Sequence, residues 1–140
     1  MIVVLDTNVV ISGLITPFGN AARILDMVIR GDLRLLYDDR IISEYREVLL
    51  RPKFDFVPGN VEALLDYFET EGVKITPALI NEPLVAKDDI PFLEVAISGM
   101  ADVLITGNKR HFQTKFKRSV KIMSPEEFLK LLKRNGIYKS

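Results

Sequence analysis

Short apolar runs alternating with longer stretches of helical period constrain this chain more than any other feature. Ile2–Leu5 is continuously apolar and rich in β-branched residues, the pattern of a strand covered on both faces. Leu33–Tyr37, Val73–Ile75, Val103–Thr106 and Val120–Met123 are further short runs of strand length. Between them, apolar residues recur at three- and four-residue spacing. Asn20 is the expected cap of a helix to about Arg30, with Ile24, Leu25, Val28 and Ile29 on one stripe and Gly31 as its stop. A second helix spans about Arg40 to Leu50 and ends before Pro52, because proline disfavours helical geometry in its predecessor. A third runs from Asn60 to Glu71. Asp89 caps a fourth that reaches Ser98, with Pro91 tolerated in its first turn. Ser124-Pro125-Glu126-Glu127 has capping-box spacing and opens the last helix, to about Arg134. This order predicts an α/β fold, a three-layer α/β/α sandwich around a central, mostly parallel sheet.

No repeat, low-complexity tract or Pro/Gly/Ser linker divides the 140 residues, so residues 1–140 are read as a single domain. Cysteine is absent, which excludes disulfides, thiolate metal sites, iron–sulfur clusters and a cysteine nucleophile. Asp6 interrupts the first apolar stretch, no basic lead precedes it, and no run approaches membrane-spanning length. The expectation is a soluble, cytoplasmic protein with no membrane attachment.

The formal net charge is zero, with 19 basic and 19 acidic side chains, which excludes a uniformly basic nucleic-acid binder. The charges are nevertheless segregated. Residues 1–102 carry 9 Lys and Arg against 17 Asp and Glu, whereas residues 103–140 carry 10 against 2. Lys109, Arg110, Lys115, Lys117, Arg118 and Lys121 crowd into a stretch from Val103 to Pro125 that has no acid at all. A solvated charged surface accounts for such a pattern unless the acids converge and the bases border them.

In open parallel sheets, ligands bind outside the carboxyl ends of the strands. Asp6-Thr7-Asn8 follows the first strand run directly, and Thr106-Gly107-Asn108 closes another. Parallel strands near the sheet centre would open both triplets onto one crevice. Helix capping is an equally good reading of Asp6, and a turn of Asn108. Glu44 is more pointed: Ile41 precedes it by three residues and Val48 follows by four, so it lies along the apolar stripe Ile41, Tyr45, Val48 and Leu49. A carboxylate at a core edge needs a cation or donors, since burying it unpaired costs on the order of several kcal/mol. An arginine or a metal ion would serve. Asp88 and Asp89 add acid at a helix start, where one of them caps. Asp102 precedes its strand and belongs at the opposite end of the sheet.

Asp6, Glu44 and Asp89, with Asn108 as a neutral oxygen donor, form a ligand set without cysteine or paired histidine. All-oxygen ligation suits Mg²⁺ or Mn²⁺ rather than zinc. Such ions activate water and neutralise charge on a phosphate in flight, and the bases after Asn108 would grip a phosphate backbone. Phe112 and Phe116 interleave with these bases, although their helical spacing suits core packing better than base stacking.

The motifs LDTNVVISGL, SEYREVL, DDIPFLEVA and ADVLITGNKRHF, in this order, resemble the PIN-domain family, above all bacterial and archaeal members that are toxin components of toxin–antitoxin pairs. The resemblance runs from Met1 to about Leu132. It implies a metal-dependent ribonuclease acting on single-stranded RNA, with Asp6, Glu44 and Asp89 as the acids. It places Thr7 and Thr106 at accompanying hydroxyl positions and makes Asn8 a brace for Asp6. Asp88 would be an extra acid, and Lys109, Arg110, Lys115, Lys117 and Arg118 would contact RNA. The family often carries aspartate where Asn108 stands, which implies a more weakly held second ion. It also implies a homodimer and a small antitoxin partner; Ile137 and Tyr138 either pack on a partner or end as a frayed tail. Two other readings remain: a catalytically weak or inactive PIN-like module that binds RNA or protein, and a phosphohydrolase using Asp6 as nucleophile. The latter lacks a second aspartate two residues after Asp6, where Asn8 stands.

Overall fold

A computed structural model describes residues 1–136 of the chain. Ile137 and Tyr138, the candidate partner contacts at the carboxyl end, lie outside the described residues. The strands are β1 (Ile2–Leu5), β2 (Arg34–Tyr37), β3 (Val73–Lys74), β4 (Val103–Ile105) and β5 (Lys121–Met123). The helices are α1 (Thr7–Ile15), α2 (Asn20–Ile29), α3 (Asp39–Leu49), α4 (Pro58–Glu71), α5 (Ile90–Ser98) and α6 (Pro125–Arg134). Gly19 rather than Asn20 holds the N-cap position of α2, and Asn20 is its first helical residue. The sheet has the order β3-β2-β1-β4-β5, and every neighbouring pair is parallel. The expected mostly parallel sheet is thus entirely parallel. Val3 pairs with Leu35 on one side and Val103 on the other, which puts β1 at the centre.

Successive strand residues point to opposite faces, and Val3, Val4 and Leu5 are all fully buried, so helices cover both sides of the sheet. On one helical layer, Tyr45 of α3 meets Phe68 of α4 edge-on at 5.9 Å and Phe92 of α5 at 6.3 Å between ring centroids. Tyr45 is fully buried, and its hydroxyl donates to the carbonyl of Leu5, the last residue of β1. That bond ties α3 to the strand end that carries Asp6.

Helix α1 is missing from the sequence reading. Val9, Val10 and Ile11 are β-branched and lower its helical propensity, so the segment reads as a continuation of strand character. Burial of Val9 and Val10 in the core overrides that preference. Gly13 allows α1 and α2 to close together, since a Cβ there would stand 3.1 Å from both the Ala21 carbonyl oxygen and Leu25 Cδ2. The capping box at Ser124 forms in full. Asp102 lies at the far end of the sheet, where its carboxylate accepts the Ile2 N–H at 2.8 Å.

Removing the Tyr45 hydroxyl leaves a buried carbonyl without its donor. Tyr45→Phe is expected to lower the free energy of unfolding by about 1–3 kcal/mol in urea titration. An unchanged midpoint would show that Leu5 finds another donor.

Candidate active site

The chain leaves β1 toward β2 and β3 on one side of the sheet and returns to β4 and β5 on the other. The adjacent carboxyl ends of β1 and β4 therefore form a topological switch point, where the connections diverge and leave a crevice. Backbone hydrogen bonds continue one step past the strands, from Asp6 N–H to Ile105 O and from Thr106 N–H to Met123 O, each 2.9 Å. The two polar triplets consequently stand side by side.

Asp6 is only 5% exposed, and two donors hold its carboxylate. The Thr106 hydroxyl donates to Oδ2 at 2.7 Å and the Asn8 amide to the same oxygen at 3.1 Å. Asn8 also accepts the Gly107 N–H through its own Oδ1 at 3.1 Å, and so bridges the two strand ends. The Asn108 N–H donates to the Thr106 hydroxyl oxygen at 3.1 Å, which directs the hydroxyl proton toward Asp6. Asp6 occupies the N-cap position of α1 but makes no capping hydrogen bond. The same holds for Asp89 at the start of α5. Asp38, by contrast, caps α3 by accepting the Ile41 N–H. Asp6 and Asp89 are therefore not spent on capping.

Glu44 is half-buried on α3 and accepts a hydrogen bond from the Thr7 hydroxyl. Among the described residues, no Lys or Arg forms an ion pair with Glu44 or Asp6. Burial, first of all, pushes the Asp6 carboxyl above its ordinary value, against the hydrogen bonds that favour its charged form. Burial likewise raises Glu44, with repulsion from Asp6, Asp89 and Asp88 added to it. Asp89 is raised by burial and then by Asp6, while His111 acts in the opposite sense. The acids thus share one electrostatic neighbourhood with too little positive charge.

A cation would relieve that imbalance. Among the described residues, however, no three Asp, Glu or His side chains stand close enough to be direct ligands of one ion. The donor set still fits a hard divalent cation, because Mg²⁺ keeps several of its own waters and reaches carboxylates through them. Carboxylate and amide oxygens are the right donors, and no thiolate competes.

Several of the basic residues after Asn108 gather beside β5. Lys109, Arg110, Phe112, Lys117 and Lys121 line a cavity of about 450 Å³ beside β5. Lys109 is paired with Glu127 at 2.9 Å. Lys115 lies over the Phe116 ring, 5.4 Å from its centroid. Phe112 is buried in the core, as its spacing suggested.

Three participants escaped the sequence reading. His111 contacts Asn108 and approaches Asp89, with Nδ1 at 3.7 Å from Oδ2. Its i+3 spacing from Asn108 was a legible signal. Glu94, 2% exposed, is held by Arg40 at 2.7 Å, and Arg40 also binds Asp38. Buried Glu82 accepts from the Thr114 hydroxyl and the Lys115 N–H, which pins the basic segment to the loop before α5. No local pattern announces either long-range partner.

A family model for the PIN domain matches residues 2–110. The uncharacterized protein MJ1680 of Methanocaldococcus jannaschii is 30% identical over 138 residues, covering 91% of this chain and 88% of its own. Among solved structures, VapBC2 from Rickettsia felis, bound to a DNA fragment from their promoter, is similar with a TM-score of 0.58. It is 15% identical and covers 89% of this chain and 98% of its own. VapBC-1 from nontypeable Haemophilus influenzae gives 0.57 at 19% identity, over 90% of this chain and 99% of its own. At these identities the structures establish a shared fold. Among the described residues, no helix is long and apolar enough to cross a membrane.

Raised carboxyls contribute stability that is fully present below their ordinary values, 3.8 for Asp and 4.5 for Glu, and is lost as pH rises through the folded values. In chelator, Asp6→Asn is therefore expected to be more stable than wild type at pH 7, with the difference closing toward about pH 4. Thermal melts across that range measure it. A variant less stable at pH 7 would show that hydrogen bonding to the Asp6 charge outweighs the cost of burying it.

Proposed function

This chain belongs to the PIN-domain family, and on that premise we propose that it is a Mg²⁺- or Mn²⁺-dependent endoribonuclease, the toxin of a toxin–antitoxin pair. PIN domains are generally nucleases. The observation that carries the reading is three acids at the switch point, Asp6, Glu44 and Asp89, whose burial opposes their charge and none of which, among the described residues, pairs with Lys or Arg. A basic segment begins directly after Asn108 and supports a polyanionic substrate.

In this reading Asp6, Glu44 and Asp89 hold the ion, in part through water, and Asn108 offers a neutral oxygen. When bound, the divalent ion lowers the pKa of a water and offsets negative charge on the phosphate oxygens. Thr106 and Asn8 keep Asp6 in place by donating to Oδ2, and Thr7 does the same for Glu44. Arg110 and Lys117, in the cavity beside β5, contact flanking phosphates of single-stranded RNA. Lys115 and Arg118 extend the same basic segment, and Lys109 joins them by exchanging Glu127 for phosphate. Asp88 adds negative charge that strengthens cation attraction.

The fold shared with VapBC2 and VapBC-1 supports a small antitoxin partner, and a homodimer of this chain is part of the same reading. Exposed Leu14, Ile15 and Phe18, the last 89% exposed, supply apolar surface at the α1–α2 connection for a protein contact. A second reading, a PIN-like module that binds RNA or protein without cutting, is favoured by the uncharged Asn108 and by the absence of three direct ligands among the described residues.

Unstructured RNA incubated with Mg²⁺ or Mn²⁺ separates the two. Cleavage is expected in wild type, with a loss of at least about 100-fold in Asp6→Asn, Glu44→Gln and Asp89→Asn. Uncut RNA at every metal concentration, with binding retained, would establish the module instead. Arg110→Ala and Lys117→Ala are expected to weaken RNA binding evenly across sequences. Each should reduce the slope of log affinity against log salt by about 1; an unchanged slope would remove that residue from the phosphate path.

A further inference from the structure

The Asn108 side-chain nitrogen lies 2.9 Å from His111 Nε2, and the Asn108 backbone carbonyl accepts the His111 backbone N–H at 3.1 Å. The other ring nitrogen, Nδ1, faces Asp89 Oδ2 at 3.7 Å. A neighbouring carboxylate favours the proton on the nitrogen that faces it. The neutral ring then carries its proton on Nδ1 and a lone pair on Nε2. Only a donor can meet that lone pair, and Asn108 presents its NH₂ group there.

From this geometry we propose that His111 is a positioning residue that locks the Asn108 carboxamide so that its Oδ1 is turned away from the ring and remains available as a cation-binding oxygen. The inference rests on the metal site proposed above and deepens it. The interactions form a path between two acids. Asp6 Oδ2 accepts from Thr106, Thr106 Oγ1 accepts from the Asn108 N–H, Asn108 donates to His111 Nε2, and His111 Nδ1 faces Asp89.

The proposal also explains why an amide suits position 108. An aspartate would bring carboxylate lone pairs against the lone pair on Nε2, and the contact would persist only with a proton on Nε2, gained by double protonation or at the expense of the proton facing Asp89. Asparagine lets the neutral ring keep its Nδ1 proton toward Asp89 while the amide contributes an oxygen without charge. An exposed amide with no such partner would rotate freely and offer its nitrogen as often as its oxygen.

The test uses the whole chain with Mn²⁺ as probe. Ring ¹⁵N shifts at about pH 8, where histidine is ordinarily neutral, are expected to show a proton on Nδ1 and an unprotonated Nε2 at His111. Mn²⁺ binding followed by electron paramagnetic resonance is expected to weaken about tenfold in His111→Phe, the size typical of lost outer support to a ligand. His111→Gln, whose Oε1 accepts the same bond, should stay within about threefold of wild type by that measure. In an Asn108→Asp background the Phe substitution should no longer weaken binding. A neutral ring protonated on Nε2, or equal losses in His111→Gln and His111→Phe, would overturn the proposal. Failure of wild type to bind Mn²⁺ would defeat the metal reading, and the ring tautomer would still decide the orientation of Asn108.

Discussion

The hydrogen bond from Thr106 to Asp6 joins the two central strands where the fold's connections diverge, and the candidate site is organised around it. Its position follows from the parallel pairing of β1 with β4, which sets Leu5 against Ile105 and the next residues, Asp6 and Thr106, beside one another. A register slip of one residue would turn Asp6 to the other face and separate the pair. Full burial of Val3, Val4 and Leu5 against Val103, Leu104 and Ile105 makes such a slip costly. Hydrophobic packing of the sheet centre thereby fixes the placement of a carboxylate that burial alone disfavours.

The same contact shows how an N-cap position can be occupied without capping. Asp38, Asp6 and Asp89 all stand at the starts of helices. Only Asp38 bends back to a helix N–H, and its remaining charge is met by Arg40, which also satisfies buried Glu94. That network has a cation for its acids and is structurally complete. At Asp6 and Glu44 the partners are Thr106, Asn8 and Thr7, neutral donors that stabilise a carboxylate without cancelling its charge. One layer of the same protein therefore contains both kinds of buried acid, and the presence or absence of arginine separates them.

Much of this was legible in the sequence because the governing rules are local. Continuous apolar runs mark the buried strands, Ser124 and Glu127 announce their own capping box, and triplets after strand runs fall at the carboxyl edge by topology alone. The expected short strand at 73–75 and helix at 40–50 appear within a residue of their expected bounds. Helix α1 was illegible because its β-branched residues argue locally for extended chain, and only packing against the core reverses them. The Arg40–Glu94 and Glu82–Thr114 pairs were illegible for another reason: 54 and 32 residues separate the partners, and nothing in either neighbourhood names the other.

Charge segregation gives the proposed activity an order of events. Without a cation, the acids at the switch point repel a phosphate chain, even with Arg110 and Lys117 in the cavity beside β5. Part of that basic segment is already engaged, since Lys109 pairs with Glu127. An exposed pair of this kind is worth about 0–1 kcal/mol, so phosphate can displace Glu127 at little cost once the repulsion is removed. In the proposed function, cation binding would remove it. Metal and RNA would then strengthen each other's binding reciprocally, because the same negative charge that attracts one opposes the other. On the proposed metal site, the uncharged Asn108 would lower the number of charges a cation has to offset and leave more of its positive charge for the phosphate.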